Sequence, residues 1–368
     1  MSVFGDIYEF FMRRWYRERG YSDYYIFFLR REWKNAFKNT GLPKEEVEWA
    51  KKRGFFPWHI RQYGLTEENY RGIISDKDYY YLHPLNNQYK KWIDDKLTMK
   101  YVLAPFDRFL PRYYYHLMKG RDVMRLMDCP EGYEGSAEDI VRLLEEKKLL
   151  AAKKATGVYG IGFYKLAFED GKYFANEKEY GREDLLAFLA GLDDYIVTEF
   201  VEMHPDLKKI NPTSVNTVRV VVLNEHGNDP EFAYTFMRIG TKRSGSVDNV
   251  AQGGMVVRVD MDTGRYYGAE SLSNHVYHAE KTHPDTGEPL EGTLPNWEIV
   301  KQGILDIARY CPQLKWIGYD IAITQDGFSI IEINSHPGLH KAHEFSEEVQ
   351  SFLFRELQKK KDRTARGE

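Results

Sequence analysis

Apolar and polar positions change their rhythm along the chain. Near the N-terminus Phe4, Ile7, Phe11 and Trp15 recur at helical spacing, which predicts an amphipathic first helix. Gly20, Gly41-Leu42-Pro43 and Gly54 then punctuate further short helices, so residues 1–90 read as an aromatic-rich helical segment. Helical spacing returns over 94–103 and 137–148, with an irregular stretch between them. From Leu149 onward alternation and β-branched runs predict strands at 149–153, 163–168, 195–200, 215–224, 232–239, 255–260, 319–324 and 328–334, with a helix over 297–310. Strand and helix do not alternate regularly, as a parallel dinucleotide-binding sheet requires, so the fold class is α+β. The charged residues from Lys359 predict a frayed tail. The expected units are 1–90, 91–200, 201–357 and 358–368.

Composition narrows the function classes. With 42% hydrophobic and 29% charged residues the 368-residue chain is globular, and it is long enough for two or three packed units. A net charge of −4 gives no support for nucleic-acid binding. No apolar run is long enough to span a bilayer, and Asp6, Glu9, Arg13 and Arg14 break up any signal-peptide core. Cys129 and Cys311 are isolated, which argues against a disulfide framework or a zinc site and for a reducing, cytoplasmic setting.

The strongest local pattern runs from Gly318 to Asn334, where two alternating strands flank Gln325-Asp326-Gly327. A three-residue loop, with Gly327 in the left-handed region, pairs Thr324 with Phe328, Ala322 with Ile330 and Asp320 with Glu332. Asn334 then lies two positions further along the same face. A two-residue turn would separate the acids. Two carboxylates and an amide oxygen this close need a neutralising partner. A magnesium ion held together with a substrate phosphate meets that need, the alternative being two acids on a solvated face.

A second pattern is a strand ending in Lys153, then a turn containing Gly157, Gly160 and Gly162, then another strand. Glycines let backbone N–H groups approach phosphates, and the lysine adds charge. The spacing is not that of a P-loop, and an ordinary hairpin turn reads the same way. The strand into Glu199, Phe200, Val201 and Glu202 reads either as a linker offering backbone groups and a carboxylate to adenine or as a plain edge strand. Arg219 interrupts an apolar strand and needs an anionic partner, for which a phosphate or carboxylate ligand is the natural candidate. Arg238, Lys242, Arg243 and Gly253-Gly254 add positive charge and a flexible turn. His336, His340 and His343 lack the glutamate of a zinc-protease helix motif, and a structural role is favoured for His336 over orienting a nucleophile.

Taken in order, these features resemble the ATP-grasp superfamily and, more narrowly, the sugar-transfer-associated ATP-grasp family. The resemblance covers about 94–343 and is carried by Asn211 to Val222, Arg238-Ile239-Gly240, Val247-Asp248-Asn249 with Gly253-Gly254, His283-Pro284-Asp285-Thr286-Gly287, and Ile317 to Asn334. It implies an ATP-grasp fold, with two α+β lobes holding ATP. Lys96 and Lys153 match the ATP lysines and Gly157, Gly160 and Gly162 the lid. Glu199 would meet the adenine amino group, with backbone contacts near Phe200 and Val201, and Asp206 or Glu202 the ribose. Asp320, Glu332 and Asn334 match the magnesium ligands, with Glu332 bridging two ions. Two positions depart from the pattern: Gly318 stands where ligases like D-alanine–D-alanine ligase carry an arginine, and Lys154 where proline is common. Arg219 or Arg238 must then supply the missing charge.

The resemblance implies a magnesium-dependent carboxylate–amine ligase that works through an acyl phosphate, with Arg238 near the oxyanion. Its substrates would be a small-molecule or sugar carboxylate and an amine, in surface-polysaccharide or related biosynthesis. One alternative is an ATP-grasp kinase that phosphorylates a hydroxyl. Another is a membrane-surface protein using Phe10, Arg13, Arg14, Trp15, Arg17, Arg19, Arg30 and Arg31 at anionic lipid. The interspersed Glu9, Glu18 and Asp23 favour a helical cap instead.

Overall fold

The computed structural model describes residues 12, 14–18, 20–157, 162–245, 248 and 250–366. Among these the strands gather into two antiparallel sheets. The first is built from β1 (Tyr113–Leu117), β2 (Met124–Arg125), β3 (Leu149–Lys154), β4 (Tyr164–Glu169), β5 (Lys172–Ala175), β6 (Lys178–Tyr180) and β7 (Tyr195–Glu199), in the order β2-β1-β7-β3-β4-β5-β6. The second holds β8 (Val218–Leu223), β9 (Glu231–Ile239), β10 (Met255–Val259), β11 (Arg265–Ser273), β12 (Val276–Ala279), β13 (Gly292–Thr293), β14 (Trp316–Thr324) and β15 (Gly327–Asn334). Its order is β12-β11-β10-β9-β8-β14-β15, with β13 beside β11.

Alternation along each strand decides which face is packed. In the first sheet Leu150, Ala152, Leu166 and Val197 bury against the helices Ala137–Lys147 and Arg182–Ala190 through Ile140, Leu144, Leu185 and Leu189. Their strand neighbours, among them Lys153 and Ile196, therefore look the other way, towards the second sheet. There, Val218, Val220, Ile317, Tyr319 and Ile321 form the core with the helix Trp297–Tyr310. Ile93, Met99, Leu103, Phe109 and Leu110 join that same core, so the stretch before Tyr113 packs with the second sheet and the sheet of the small lobe begins at Tyr113.

The opposite face of the second sheet is divided. One half, with Val221, Leu223, Ala233 and Trp316, is covered by the aromatic segment before residue 90, through Phe55, Tyr79 and Leu82, and by Phe352 and Leu353 of the helix Glu347–Arg366. The other half carries Arg219, Arg238 and Asp320 and turns to the first sheet. The N-terminal segment is thus a cap on the second sheet rather than a free unit.

Several expectations need correction. The stretch taken as irregular before residue 137 contains β1 and β2, and the helix Arg182–Ala190 and strands β5, β6, β11 and β12 were not foreseen. The tail expected to fray continues the last helix to Arg366. Phe4, Ile7 and Phe11 lie outside the described residues. Among the described residues no helix is long and apolar enough to cross a membrane.

Candidate functional site

The acid hairpin turns on two residues, not three. Thr324 pairs with Gly327 across Gln325-Asp326, and the ladder continues through Ile323↔Phe328, Ala322↔Ser329 and Ile321↔Ile330. Continued unchanged, that register would set Asp320 opposite Ile331. A bulge intervenes: Ile331 is the extra residue, and the ladder resumes at Asp320↔Glu332, Tyr319↔Ile333 and Gly318↔Asn334. The expected juxtaposition of the two acids is present, but a bulge produces it.

Asp320 lies on a central strand with Glu332 opposite on one side and Arg219 on the other. Arg219 grips it in a bidentate fork, Nε to Oδ1 and Nη2 to Oδ2 at 2.8 Å, while Arg238 Nη2 lies 3.0 Å from Oδ2. Asn334 Nδ2 donates to the same oxygen at 3.4 Å. Burial works to raise the Asp320 pKa, yet Arg219 and Arg238 together hold it down to about 2. The partner expected for Arg219 from outside the protein is therefore Asp320 itself. Gly318 makes room for this: a Cβ there would stand 2.6 Å from Cβ of Pro337 and 3.3 Å from Cδ of Arg219. Gly318, which departs from the ligase pattern, and Arg219 are packed against each other.

Arg238 also donates to Thr217 Oγ1 at 3.0 and 2.7 Å, and Thr217 donates through both its backbone and its hydroxyl to Asp248. Asp248 is buried, which pushes its pKa up against the opposing pull of Arg238 and Thr217. Thr217 was not singled out in the sequence, and nothing in its local pattern marks it.

Glu332 is met by Lys96, whose helix packs in the core of the second sheet. The Asp95 side chain accepts from Thr98 N at 2.6 Å, capping the helix Lys96–Val102 and fixing where Lys96 begins it. Lys96 Nζ donates to Glu332 Oε1 at 3.1 Å and to Gly157 O at 2.8 Å. Lys153 Nζ donates to Ile331 O at 3.3 Å. Burial, and then the neighbouring Lys96, bring the Lys153 pKa down to about 7. Lys154 takes the opposite face, its ammonium 5.5 Å from the Tyr195 ring centroid. One turn after Lys96, Lys100 is fully buried and bonded to Asp128 at 2.9 Å and to Pro111 O at 2.9 Å, which anchors this helix to the start of the first sheet. Lys165 pairs with Ala151 on β3, two positions before Lys153, and sits 5.6 Å from the Phe200 ring centroid. Neither Lys100 nor Lys165 was singled out; for Lys165 its alternation with Leu166 was the available signal.

The remaining candidates fall around this centre. Glu199 ends β7, and its Oε1 accepts from Arg112 N at 3.0 Å. Phe200 and Val201 follow in the crossing between the sheets, which ends where His204 N bonds Ile323 O at 2.8 Å. Asp206 is exposed and paired with Lys209 at 2.9 Å. Gly162 adopts φ +79°, and a Cβ there would collide with the Tyr195 hydroxyl. Gly160 lies outside the described residues. His336 is removed from the acids: its ring stacks on Tyr79 at 4.3 Å and meets Tyr24 and His83, and burial drives its pKa well below the ordinary value.

Chemically this is a set of hard oxygen donors, Asp320, Glu332 and Asn334, beside two lysines and two arginines. Such a set fits a magnesium ion, provided the Asn334 amide turns its oxygen inwards. Among the described residues no three His, Cys, Asp or Glu side chains converge, so a third protein ligand beside Asp320 and Glu332 would have to be the Asn334 amide.

Among solved structures, D-alanyl-alanine synthetase A from Vibrio cholerae is similar at 12% identity, over 73% of this chain and 65% of that one, with a TM-score of 0.41. D-alanine–D-alanine ligase from Bacillus anthracis matches at 12% identity over 74% and 68%, with a TM-score of 0.37. N5-carboxyaminoimidazole ribonucleotide synthetase from Thermotoga maritima matches at 12% identity over 67% of this chain but only 42% of its own, with a TM-score of 0.34. A comparison with curated proteins finds no match. The family model described as sugar-transfer associated ATP-grasp matches residues 77–348, starting within the segment expected to lie outside any resemblance. That match covers about three quarters of the sequence, and the chain belongs to the sugar-transfer associated ATP-grasp family.

Proposed function

We propose that this protein binds ATP with magnesium between its two sheets and activates a substrate carboxylate as an acyl phosphate, which an amine then captures. The observation that carries the reading is the convergence of Lys153, from the first sheet, and Lys96, from a helix packed with the second, on the hairpin that bears Asp320, Glu332 and Asn334, with Lys96 already on Glu332. Magnesium would supply charge neutralisation at the phosphates, held by Asp320, Glu332 and Asn334. Lys96 and Lys153 would offset phosphate charge, Glu199 with the backbone at Phe200 and Val201 would hold adenine, Asp206 the ribose, and Gly157 to Gly162 would close over the phosphates.

In the chemical step a carboxylate oxygen forms a bond to the γ-phosphorus as the bond to the β-γ bridging oxygen breaks, releasing ADP. The amine then attacks the acyl carbon, phosphate leaves with the bridging oxygen, and the amine proton passes to solvent. Arg238, only partly buried beside Asp320, is placed to meet the anionic acceptor. An alcohol acceptor needs a general base at the γ-phosphate. His336, the side chain considered for work beside the acid strand, is enclosed by Tyr79, Tyr24 and His83 instead, which favours the ligase over the kinase. The family description, sugar-transfer associated, supports a sugar acid as the carboxylate, with an amino acid as the alternative. The test is incubation with ATP, magnesium, hydroxylamine and a panel of carboxylic acids: hydroxamate from an acid that stimulates ADP release supports the ligase. A stable phosphate ester on a hydroxyl-only acceptor, with no hydroxamate from any acid, supports the kinase.

A further inference from the structure

We propose that Asn86 and Tyr79, from the N-terminal segment, are positioning residues that lock the register of the acid hairpin; this rests on reading that hairpin as the cation site. The need for a lock follows from the bulge. With a two-residue turn and no bulge, Glu332 would stand opposite Tyr319, whose ring is 1% exposed in the core beneath the sheet. The extra residue Ile331 is all that returns Glu332 to the side of Asp320. Ile330-Ile331-Glu332 contains neither glycine nor proline to favour a bulge locally.

The open end of the hairpin supplies what the local sequence lacks. The Asn86 amide, 2% exposed, makes its full complement of four hydrogen bonds there. Its Nδ2 donates to Trp316 O at 2.7 Å and Ser335 O at 3.0 Å; its Oδ1 accepts from Lys315 N at 2.8 Å and Trp316 N at 3.2 Å. One side chain thus joins the start of β14 to the residue after β15. Tyr79 makes a second staple in the same place: its hydroxyl donates to Pro337 O and accepts from Trp316 Nε1 at 2.9 Å. Pro337 in turn fills the space over Gly318, against the stem of Arg219. A slip of one residue in β15 would pull Ser335 and Pro337 away from both staples at once.

The test uses the full chain carrying Asn86→Leu, which keeps the branched shape and removes the bonds. Amide hydrogen exchange without nucleotide should accelerate over residues 327–334 while β3 and β7 are unchanged. The magnesium concentration giving half-maximal ADP formation should rise about tenfold or more, the effect usual for groups that orient a metal ligand. If Asn86→Leu does not fold, Tyr79→Phe carries the test, with the same direction and a smaller shift. Acceleration spread evenly over the second sheet, with the magnesium midpoint within about twofold of wild type, would overturn the proposal and leave a purely structural role. If the wild-type chain has no magnesium-dependent turnover, the functional reading fails, and localised or spread exchange still decides the register lock.

Discussion

Arg219 and Asp320 are direct cross-strand partners on β8 and β14, and the guanidinium holds both carboxylate oxygens. Both side chains are buried, so removing Asp320 leaves the Arg219 guanidinium without its carboxylate. This separates the two acids of the hairpin. Asp320 is part of the protein's own ion network, whereas Glu332 is only partly buried and pairs with Lys96.

Glu332→Gln should therefore keep the fold and lose magnesium-dependent ADP formation by about 100-fold or more, since a neutral amide cannot replace the carboxylate at a cation. Asp320→Ala should act on the fold as well as on turnover. The change strands Arg219 and should cost about 3–5 kcal/mol in urea unfolding, besides abolishing turnover. Equal stability of Asp320→Ala and wild type would contradict the network.

Lys153→Ala should impair ATP binding or turnover far more than Lys154→Ala, because the two side chains take opposite faces of β3. Steady-state kinetics of both variants check this; equal effects would mean that Lys153 does not meet the nucleotide.

The Lys153 pKa, down at about 7 against an ordinary 10.5, sets a signed pH dependence. Between these values the folded chain holds fewer protons than the unfolded one, so this group's contribution makes stability rise with pH across that window, and its destabilising effect is complete below it. ATP phosphates reverse the preference and favour the ammonium. At about pH 8 calorimetry in buffers of different ionisation enthalpy should record up to about one more proton taken up per ATP by wild type than by Lys153→Met, a difference that disappears near about pH 6.

The hairpin illustrates what the sequence could and could not say. The pairing of Asp320 with Glu332 was read from alternation and a glycine-closed loop, yet the turn holds two residues and a bulge at Ile331 restores the pair. A bulge answers to tertiary contacts, here at the far end of the hairpin, and leaves no local mark. The charge of Arg219 in an apolar strand was legible as a demand for an anion. Its partner was not, because Asp320 comes 101 residues later and only the sheet order joins them. The lysines Lys96 and Lys153 were legible through family spacing, whereas Lys100 and Thr217 work through contacts that no periodicity encodes. The aromatic wealth of the first 90 residues was visible, but its destination on the back of β8, β9 and β14 was not.

Gly318→Ala is a local test of the exchange between glycine and arginine. The new methyl would meet Pro337 at 2.6 Å and crowd Arg219, so about 1–3 kcal/mol of stability should be lost, with turnover reduced through the displaced Arg219–Asp320 pair. Thermal unfolding and ADP release measure the two effects; an unchanged variant would mean that the Pro337 turn yields freely.

In the proposed reaction a carboxylate, and not a hydroxyl, accepts the γ-phosphoryl group. The most direct measurement takes an acid that stimulates ADP release, labels its carboxylate with oxygen-18, and analyses the inorganic phosphate formed with the amine present. An acyl phosphate passes one carboxylate oxygen to phosphate when the amine displaces it, so the phosphate should carry one labelled oxygen per turnover. Phosphate released without label would contradict it.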